Sequence, residues 1–163
     1  YMPVQDFGNA FSTYVAQNYG AGQTERIRKG IRSAGLTSAV FCVCISALVC
    51  LFAAPLMGIF IDPSQTDIIA AGVHYLHMEG AFYLGIGILF LLYGYYRAVN
   101  QPQMSVILTI ASLGTRVVLA YLLAGPIGEI GIWMAIPIGW ALADLTGYGY
   151  YFRKKEKLLP PQK

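Results

Sequence analysis

The sequence predicts an all-α fold, a polytopic bundle of membrane-spanning helices with one partial and four full spans. Hydrophobic residues make up 56% of the 163 residues, charged residues make up 12%, and the mean hydropathy is +0.55. A soluble domain carries about 25% charged residues, and a spanning helix needs about 20 mostly apolar residues. The chain contains four apolar stretches of that length after a shorter apolar opening, so these observations favour a lipid environment.

The opening segment, residues 1–19, is predicted to end at the glycine-rich sequence 20–22, because glycine readily adopts the left-handed conformation of a helix C-cap. Residues 24–34 then form an amphipathic turn, in which Thr24 caps a short helix with one apolar side. The basic residues of this turn are Arg26, Arg28, Lys29 and Arg32. The opening segment shows neither a helix start signal nor the pattern of a signal peptide, so we expect the C-terminal part of a longer protein.

The four full spans are predicted at residues 35–61, 71–96, 104–123 and 130–152, followed by a tail at 153–163. Pro55 is expected to bend the first of these spans near its end, since proline cannot donate a helical hydrogen bond. Successive spans cross the bilayer in opposite directions. The amphipathic turn, the turn at 97–102 and the tail therefore share one side.

The positions of the basic residues predict which side is cytoplasmic. Ten of the 11 Lys and Arg residues lie on the side of the amphipathic turn: Arg26, Arg28, Lys29, Arg32, Arg97, Arg153, Lys154, Lys155, Lys157 and Lys163. The opposite loops carry the acids Asp62, Asp67 and Glu129 and no base. Because Lys and Arg accumulate in cytoplasmic loops, we predict a multi-pass protein with a cytoplasmic C-terminus. The clustering of the basic residues in a few turns also argues against a nucleic-acid partner.

Four ionisable residues are predicted at membrane depth, namely Asp6, Glu79, Arg116 and Asp144. Each costs at least ~2.5 kcal/mol at the centre of an inserted helix, so these side chains are expected to face protein or a water-filled cavity. Arg116 can reach either Glu79 or Asp144, and the sequence leaves that choice open. One interpretation is a neutral buried pair that only fixes the packing.

The charge balance at membrane depth favours a functional interpretation for the remaining acids. One arginine leaves two of the three carboxylates without a base, and buried unpaired carboxylates tend to hold a proton or attract a cation. Such groups could couple transport to an ion gradient, and Glu79 is the first candidate, followed by Asp6. Tyr83, one helical turn after Glu79, is the aromatic residue best placed to line a cavity.

The remaining chemistry-bearing residues favour structural roles. Cys42, Cys44 and Cys50 fall in one apolar run and are expected to pack as small polarizable side chains. His74 and His77 share a helical face, but a zinc site needs three or four converging ligands. The sequence contains no nucleophile elbow, HExxH motif or Walker loop. We therefore expect no enzyme and no cofactor beyond a coupling ion.

Three stretches of the sequence resemble the multidrug and toxic compound extrusion (MATE) transporters. VAQNYGAGQTERIRKG at 15–30 is similar to the signature that follows the second helix of each lobe in that family. YGYYRAVNQPQMSVILT at 93–109 resembles the turn between its tenth and eleventh helices, and GIWMAIPIGWALADLTGYGYYFRKK at 131–155 resembles its last helix. The resemblance covers the whole chain and implies helices eight to twelve of a 12-helix, two-lobe transporter, with the N-terminal lobe absent.

This resemblance implies a sodium- or proton-coupled antiporter of a bacterial-type inner or plasma membrane, which exports organic, often cationic, compounds by alternating access. Some members couple through acids of the C-terminal lobe, one of them on the tenth helix. The predicted span 71–96 matches that helix and carries Glu79, although nearer its outer end. The alternatives are a lipid-linked oligosaccharide flippase of the same superfamily and a membrane scaffold that transports nothing. A flippase would need several cavity-facing bases, and a scaffold gains nothing from buried charges.

Overall fold

The structure, a computed structural model, describes residues 2–159, and every regular element in that range is helical. Tyr1 and Lys163, which belong to the predicted opening segment and basic tail, lie outside the described residues. The elements are α1 (Met2–Gly20), α2 (Thr24–Leu51), α3 (Ala53–Phe60), α4 (Thr66–Ala81), α5 (Tyr83–Ala98), α6 (Pro102–Thr109), a π-helical segment (Ile110–Gly114), α7 (Thr115–Ile127) and α8 (Glu129–Leu158). The predicted all-α fold class is confirmed.

Three helical stretches are long and apolar enough to cross a membrane: α2, the continuous stretch Pro102–Ile127 and α8. Taken together, α4 and α5 are also long and apolar enough to cross a membrane, and the two helices are bent by 49° relative to each other. These four stretches correspond in order to the four predicted full spans. The boundaries and the internal breaks, however, differ from the prediction.

The predicted amphipathic turn at 24–34 and the predicted span at 35–61 are not separate elements. A single helix, α2, runs from Thr24 to Leu51, and Gln23 rather than Thr24 occupies its N-cap position. The break comes at Phe52, three residues before Pro55. Proline lacks an N–H and its ring excludes the carbonyl of the residue four positions earlier, so α2 ends at Leu51 and Pro55 lies in the first turn of α3.

The predicted span at 71–96 begins earlier, at Thr66, and is broken in the middle at Phe82. The hydroxyl of Ser46 on α2 donates a hydrogen bond to the carbonyl of Gly80 just before the break. A side-chain donor of this kind can replace the helical partner that a carbonyl loses at a kink. A contact from another helix therefore supports the break.

The last two spans are also longer than predicted. Pro102 begins α6, which continues through the π-helical segment into α7 and ends at Ile127. The helix α8 runs on to Leu158, so most of the predicted basic tail at 153–163 is helical. Its last turn carries Lys155 and Lys157, and cations at a helix C-terminus interact favourably with the helix dipole.

The helix α5 lies at the centre of the bundle and packs against α1, α2, α6 and α8. Its contact with α1 brings the two backbones together, because a methyl group added at Gly94 would lie 2.5 Å from the carbonyl oxygen of Gly8. Small residues permit such close approach between membrane helices. The turn between α1 and α2 uses Gly22 at φ 69°, as predicted for a glycine C-cap.

Side-chain contacts bring the basic parts of the chain to one end of the bundle. A guanidinium nitrogen of Arg28, near the start of α2, lies 3.5 Å from a carboxylate oxygen of Glu156, near the end of α8. The hydroxyl of Tyr150 on α8 lies 3.4 Å from Gln101 in the turn between α5 and α6. The amphipathic start of α2, this turn and the end of α8 thus lie together, and we call this the basic end.

Candidate functional site

Glu79 lies in the last turn of α4, three residues before the break at Phe82, and is only 8% exposed. Among the described residues, neither of its carboxylate oxygens has a hydrogen-bond partner. Removing a charged carboxylate from water without such partners costs much free energy. Glu79 therefore has the environment of a carboxyl group that holds a proton or attracts a cation.

Asp144 on α8 has a similar environment and is also 8% exposed. Its Oδ1 atom has no hydrogen-bond partner in the described part of the chain. A methyl group added at Gly85 on α5 would lie 3.8 Å from Oδ2, so this glycine leaves room beside the carboxylate. Gly85 also faces the buried Trp140, one turn before Asp144 on α8.

Arg116 is the second residue of α7 and is half-buried, and its Nε has no hydrogen-bond partner among residues 2–159. Its positive charge acts on Glu79 and on Tyr75, one turn earlier on α4. No such interaction is found between Arg116 and Asp144. Within the described range, the ion pairs shorter than 4.0 Å both involve Arg28, so Arg116 and Glu79 are electrostatic neighbours without direct contact.

Irregular backbone lies next to two of these charged residues, Glu79 and Arg116. The break at Phe82 follows Glu79, and the π-helical segment Ile110–Gly114 ends two residues before Arg116. On α8, Pro137 lies inside the helix and Gly139 packs against the π-helical segment, since a methyl group there would lie 2.6 Å from the Ser112 carbonyl oxygen. Short π-helical segments occur frequently at functional sites.

The family of the chain follows from comparison with known proteins. The family model MatE matches residues 1–122, about three quarters of the chain. The chain belongs to the MatE family. The resemblance to MATE transporters found in the sequence is thereby confirmed, and with it the nature of the chain as a membrane protein.

Two curated relatives of this MatE chain come from Bacillus subtilis (strain 168). The probable multidrug resistance protein YoeA is 26% identical over 162 residues, which cover 95% of this chain and 34% of that protein. The probable multidrug resistance protein YpnP is 27% identical over 151 residues, which cover 92% of this chain and 34% of that protein. The chain thus spans about a third of the length of these relatives.

A solved structure has the same fold as this MatE chain. It is described as the inward-facing conformation of a multidrug resistance MATE family transporter of the MOP superfamily, and the TM-score is 0.86. The two sequences are 20% identical, and the match covers 96% of this chain and 37% of the other. The helix order described above is therefore that of part of a MATE transporter fold.

Two further residues, Asp6 and Tyr83, were predicted for the site. Asp6 is on the exposed face of α1, so within the described chain it faces neither protein nor the other carboxylates. Tyr83 is half-buried, packs against the core and lies within electrostatic reach of Cys42 on α2. Tyr83 begins α5 directly after the break at Phe82, whereas Glu79 lies in the last turn of α4.

A groove beside α1 was missed in the sequence. It has a volume of about 380 Å³ and is lined by residues of α1, α5, α6 and the π-helical segment. The Nη2 atom of Arg97 donates to Oδ1 of Asn9 over 2.9 Å, and the hydroxyls of Tyr93 and Thr109 lie 3.1 Å apart. Gln5 and Asn9, four residues apart on one helical face, were the signal that could have revealed it.

Proposed function

We propose that this MatE chain forms part of a transporter that exports organic, often cationic, compounds by alternating access, driven by an inward flow of protons or sodium ions. Membership of the family supports transport, and both curated relatives are named as probable multidrug resistance proteins. The rest of the transporter, including its N-terminal lobe, would complete the substrate cavity. The exposed Asp6 on α1 would then face that lobe.

The observation that carries this proposal is the position of Glu79. A buried carboxylate without hydrogen-bond donors favours its neutral, protonated form, and the ionised form favours water or a cation. Because Glu79 lies three residues before the break between α4 and α5, a change of its charge acts close to irregular backbone. Protonation would thus favour one arrangement of these helices and deprotonation the other, which is the requirement for coupling.

The donor set favours a proton over a sodium ion in this part of the protein. A proton needs a single carboxylate, whereas a hard metal cation needs several converging oxygen ligands. Among the described residues, no group of three or more His, Cys, Asp and Glu side chains converges. Asp144 would be a second proton-binding group.

The proposed orientation has the basic end at the cytoplasmic face of a bacterial-type inner or plasma membrane. The cluster of Lys and Arg at that end supports it through the positive-inside rule. A lipid-linked oligosaccharide flippase is less well supported, because in the described part of the chain Arg116 is the one base predicted at membrane depth. A scaffold is disfavoured by the insertion cost of the buried acids.

Efflux of ethidium or norfloxacin from cells that express the full-length gene tests the proposal. We expect efflux that depends on an imposed proton gradient, and Glu79→Gln is expected to abolish this dependence while the protein still reaches the membrane. Glu129→Gln, at the exposed start of α8, is the matched control and is expected to behave as the wild type. No efflux under either proton or sodium gradients would refute transport, and unchanged coupling in Glu79→Gln would refute the role of Glu79.

A further inference from the structure

A second polar cavity lies at the basic end, between the start of α2 and the end of α8. Its volume is about 230 Å³. The charged residues that line it are Arg28, Arg32, Lys155 and Glu156. Three cations and one anion leave an excess of about two positive charges in a confined space, so the cavity suits an anion.

Two of the three cations are available for a ligand. The guanidinium of Arg28 lies 3.8 Å from Glu25 and 3.5 Å from Glu156, so its charge is largely balanced. Within residues 2–159, Arg32 and Lys155 have no carboxylate oxygen within 4.0 Å. The ammonium of Lys155 lies 5.9 Å from the centre of the Phe152 ring, a cation–π distance that holds it beside the cavity.

An apolar cleft continues from the cavity toward the middle of the bundle. Ile31 and Tyr151 line both spaces, and the cleft is further lined by Gly35 on α2 and Tyr148 on α8. These two residues are about one helical turn, roughly 5 Å, farther from the basic end than Ile31 and Tyr151. Leu91 and Leu92 of α5 also line the cleft. The combined site is therefore cationic at its mouth and apolar inside.

We propose that this site binds an anionic phospholipid, with its phosphate held by Arg32 and Lys155 and part of an acyl chain in the cleft. Basic pockets between membrane helices on the cytoplasmic side are suited to anionic headgroups. The cavity alone could accept a free phosphate, but the adjoining cleft adds apolar contact that a lipid acyl chain can use and a free phosphate cannot. The site lies at the opposite end of α8 from Glu129 and does not involve Glu79 or Asp144.

Native mass spectrometry of the full-length protein, purified in detergent, tests the headgroup contacts. Phosphatidylglycerol and phosphatidylcholine with identical acyl chains serve as probes. The double variant Arg32→Gln, Lys155→Gln is expected to weaken phosphatidylglycerol binding about thirtyfold, since each Lys or Arg contributes to attraction of an anionic headgroup. The control Arg26→Gln, Lys154→Gln removes the same charge from the same helices outside the cavity, and we expect a loss of less than about threefold. Equal losses in both variants, or equal wild-type binding of the two lipids, would overturn the proposal.

The cleft provides a second test that separates a lipid from a soluble anion. A Cβ atom added at Gly35 would meet no atom within 4 Å, and Gly35 lines the cleft, so Gly35→Leu is expected to place its side chain in the cleft. It is expected to weaken phosphatidylglycerol binding, whereas Gly149→Leu, equally unobstructed but outside the cleft, leaves it unchanged. Displacement of the lipid by millimolar inorganic phosphate, together with insensitivity to Gly35→Leu, would overturn the lipid assignment in favour of a soluble-anion site.

Discussion

Arg116 of α7 acts electrostatically on Glu79 of α4, while no such interaction joins it to Asp144 of α8. Both carboxylates were within reach of this arginine as far as the sequence could tell. The local sequence does not specify this difference, because it depends on how α4 and α7 each pack against α8. Glu79 and Asp144 are therefore distinct groups, one beside a positive charge and one without it.

A double-mutant cycle measures this difference. We expect a coupling free energy of about 0.5–3 kcal/mol between Arg116→Gln and Glu79→Gln, the range found for interacting residues. Arg116→Gln and Asp144→Asn are expected to be additive within about 0.5 kcal/mol. The measurement is thermal or denaturant unfolding of the four proteins of each cycle in detergent. A larger coupling with Asp144 than with Glu79 would contradict the arrangement of α7 described here.

The contact between α8 and the π-helical segment predicts a stability defect. A methyl group at Gly139 would lie 2.6 Å from the carbonyl oxygen of Ser112, which is backbone and cannot rotate away. We expect Gly139→Ala to lower the free energy of unfolding by about 1–3 kcal/mol, the usual cost of overpacking. Gly149→Ala meets nothing within 4 Å and is the control. Equal thermal midpoints for the two variants would argue against this contact.

The hydroxyl of Tyr96 donates to the carbonyl of Gly147 and ties α5 to α8 inside the core. Tyr96→Phe removes only this donor, so we expect a loss of about 1 kcal/mol in the free energy of unfolding. Tyr150→Phe is the comparison, because its hydroxyl lies at a longer 3.4 Å from Gln101, and its loss is expected to be smaller. Denaturant titrations of both variants provide the measurement, and a greater loss for Tyr150→Phe would contradict the prediction.

Asp62, in the loop between α3 and α4, carries a pH-dependent contribution outside the membrane. The backbone N–H of Ser64 donates to its Oδ1 over 2.8 Å and the Ser64 hydroxyl over 2.7 Å, and these bonds hold the pKa of Asp62 below its ordinary value of 3.8. The ionised carboxylate therefore stabilises the loop above the unfolded-state pKa, and this contribution is lost as pH falls through the folded-state pKa.

Carbon NMR titration of the Asp62 carboxyl group tests this contribution. Ser64→Ala is expected to raise the pKa of Asp62 only in part, because the backbone donor remains and is the larger cause of the shift. Ser33→Ala, an exposed serine on α2, is expected to leave the titration unchanged. If Ser64→Ala had no effect, the hydroxyl would not be a donor to this carboxylate.

The site was predicted less completely than the fold. The sequence identified Glu79, Asp144 and Arg116 as charges at membrane depth, and the first two are buried as expected. It also grouped Asp6 and Tyr83 with them. Asp6 is exposed, and Tyr83 is half-buried at the start of α5. Hydropathy locates a charge along a helix axis, but the direction in which the side chain points depends on neighbouring helices.

The sequence by itself determined the helical class, the order of the segments, the end of the molecule at which the basic residues gather, and the family. These features are local, because the bilayer requires each spanning segment to be apolar and to satisfy its own backbone hydrogen bonds. Only the tertiary structure decided the break at Phe82, the π-helical segment before Arg116 and the neighbour of that arginine. Each depends on groups far apart in the chain, such as Ser46 with Gly80 and Gly139 with Ser112. Their proximity results from packing, which no single segment encodes.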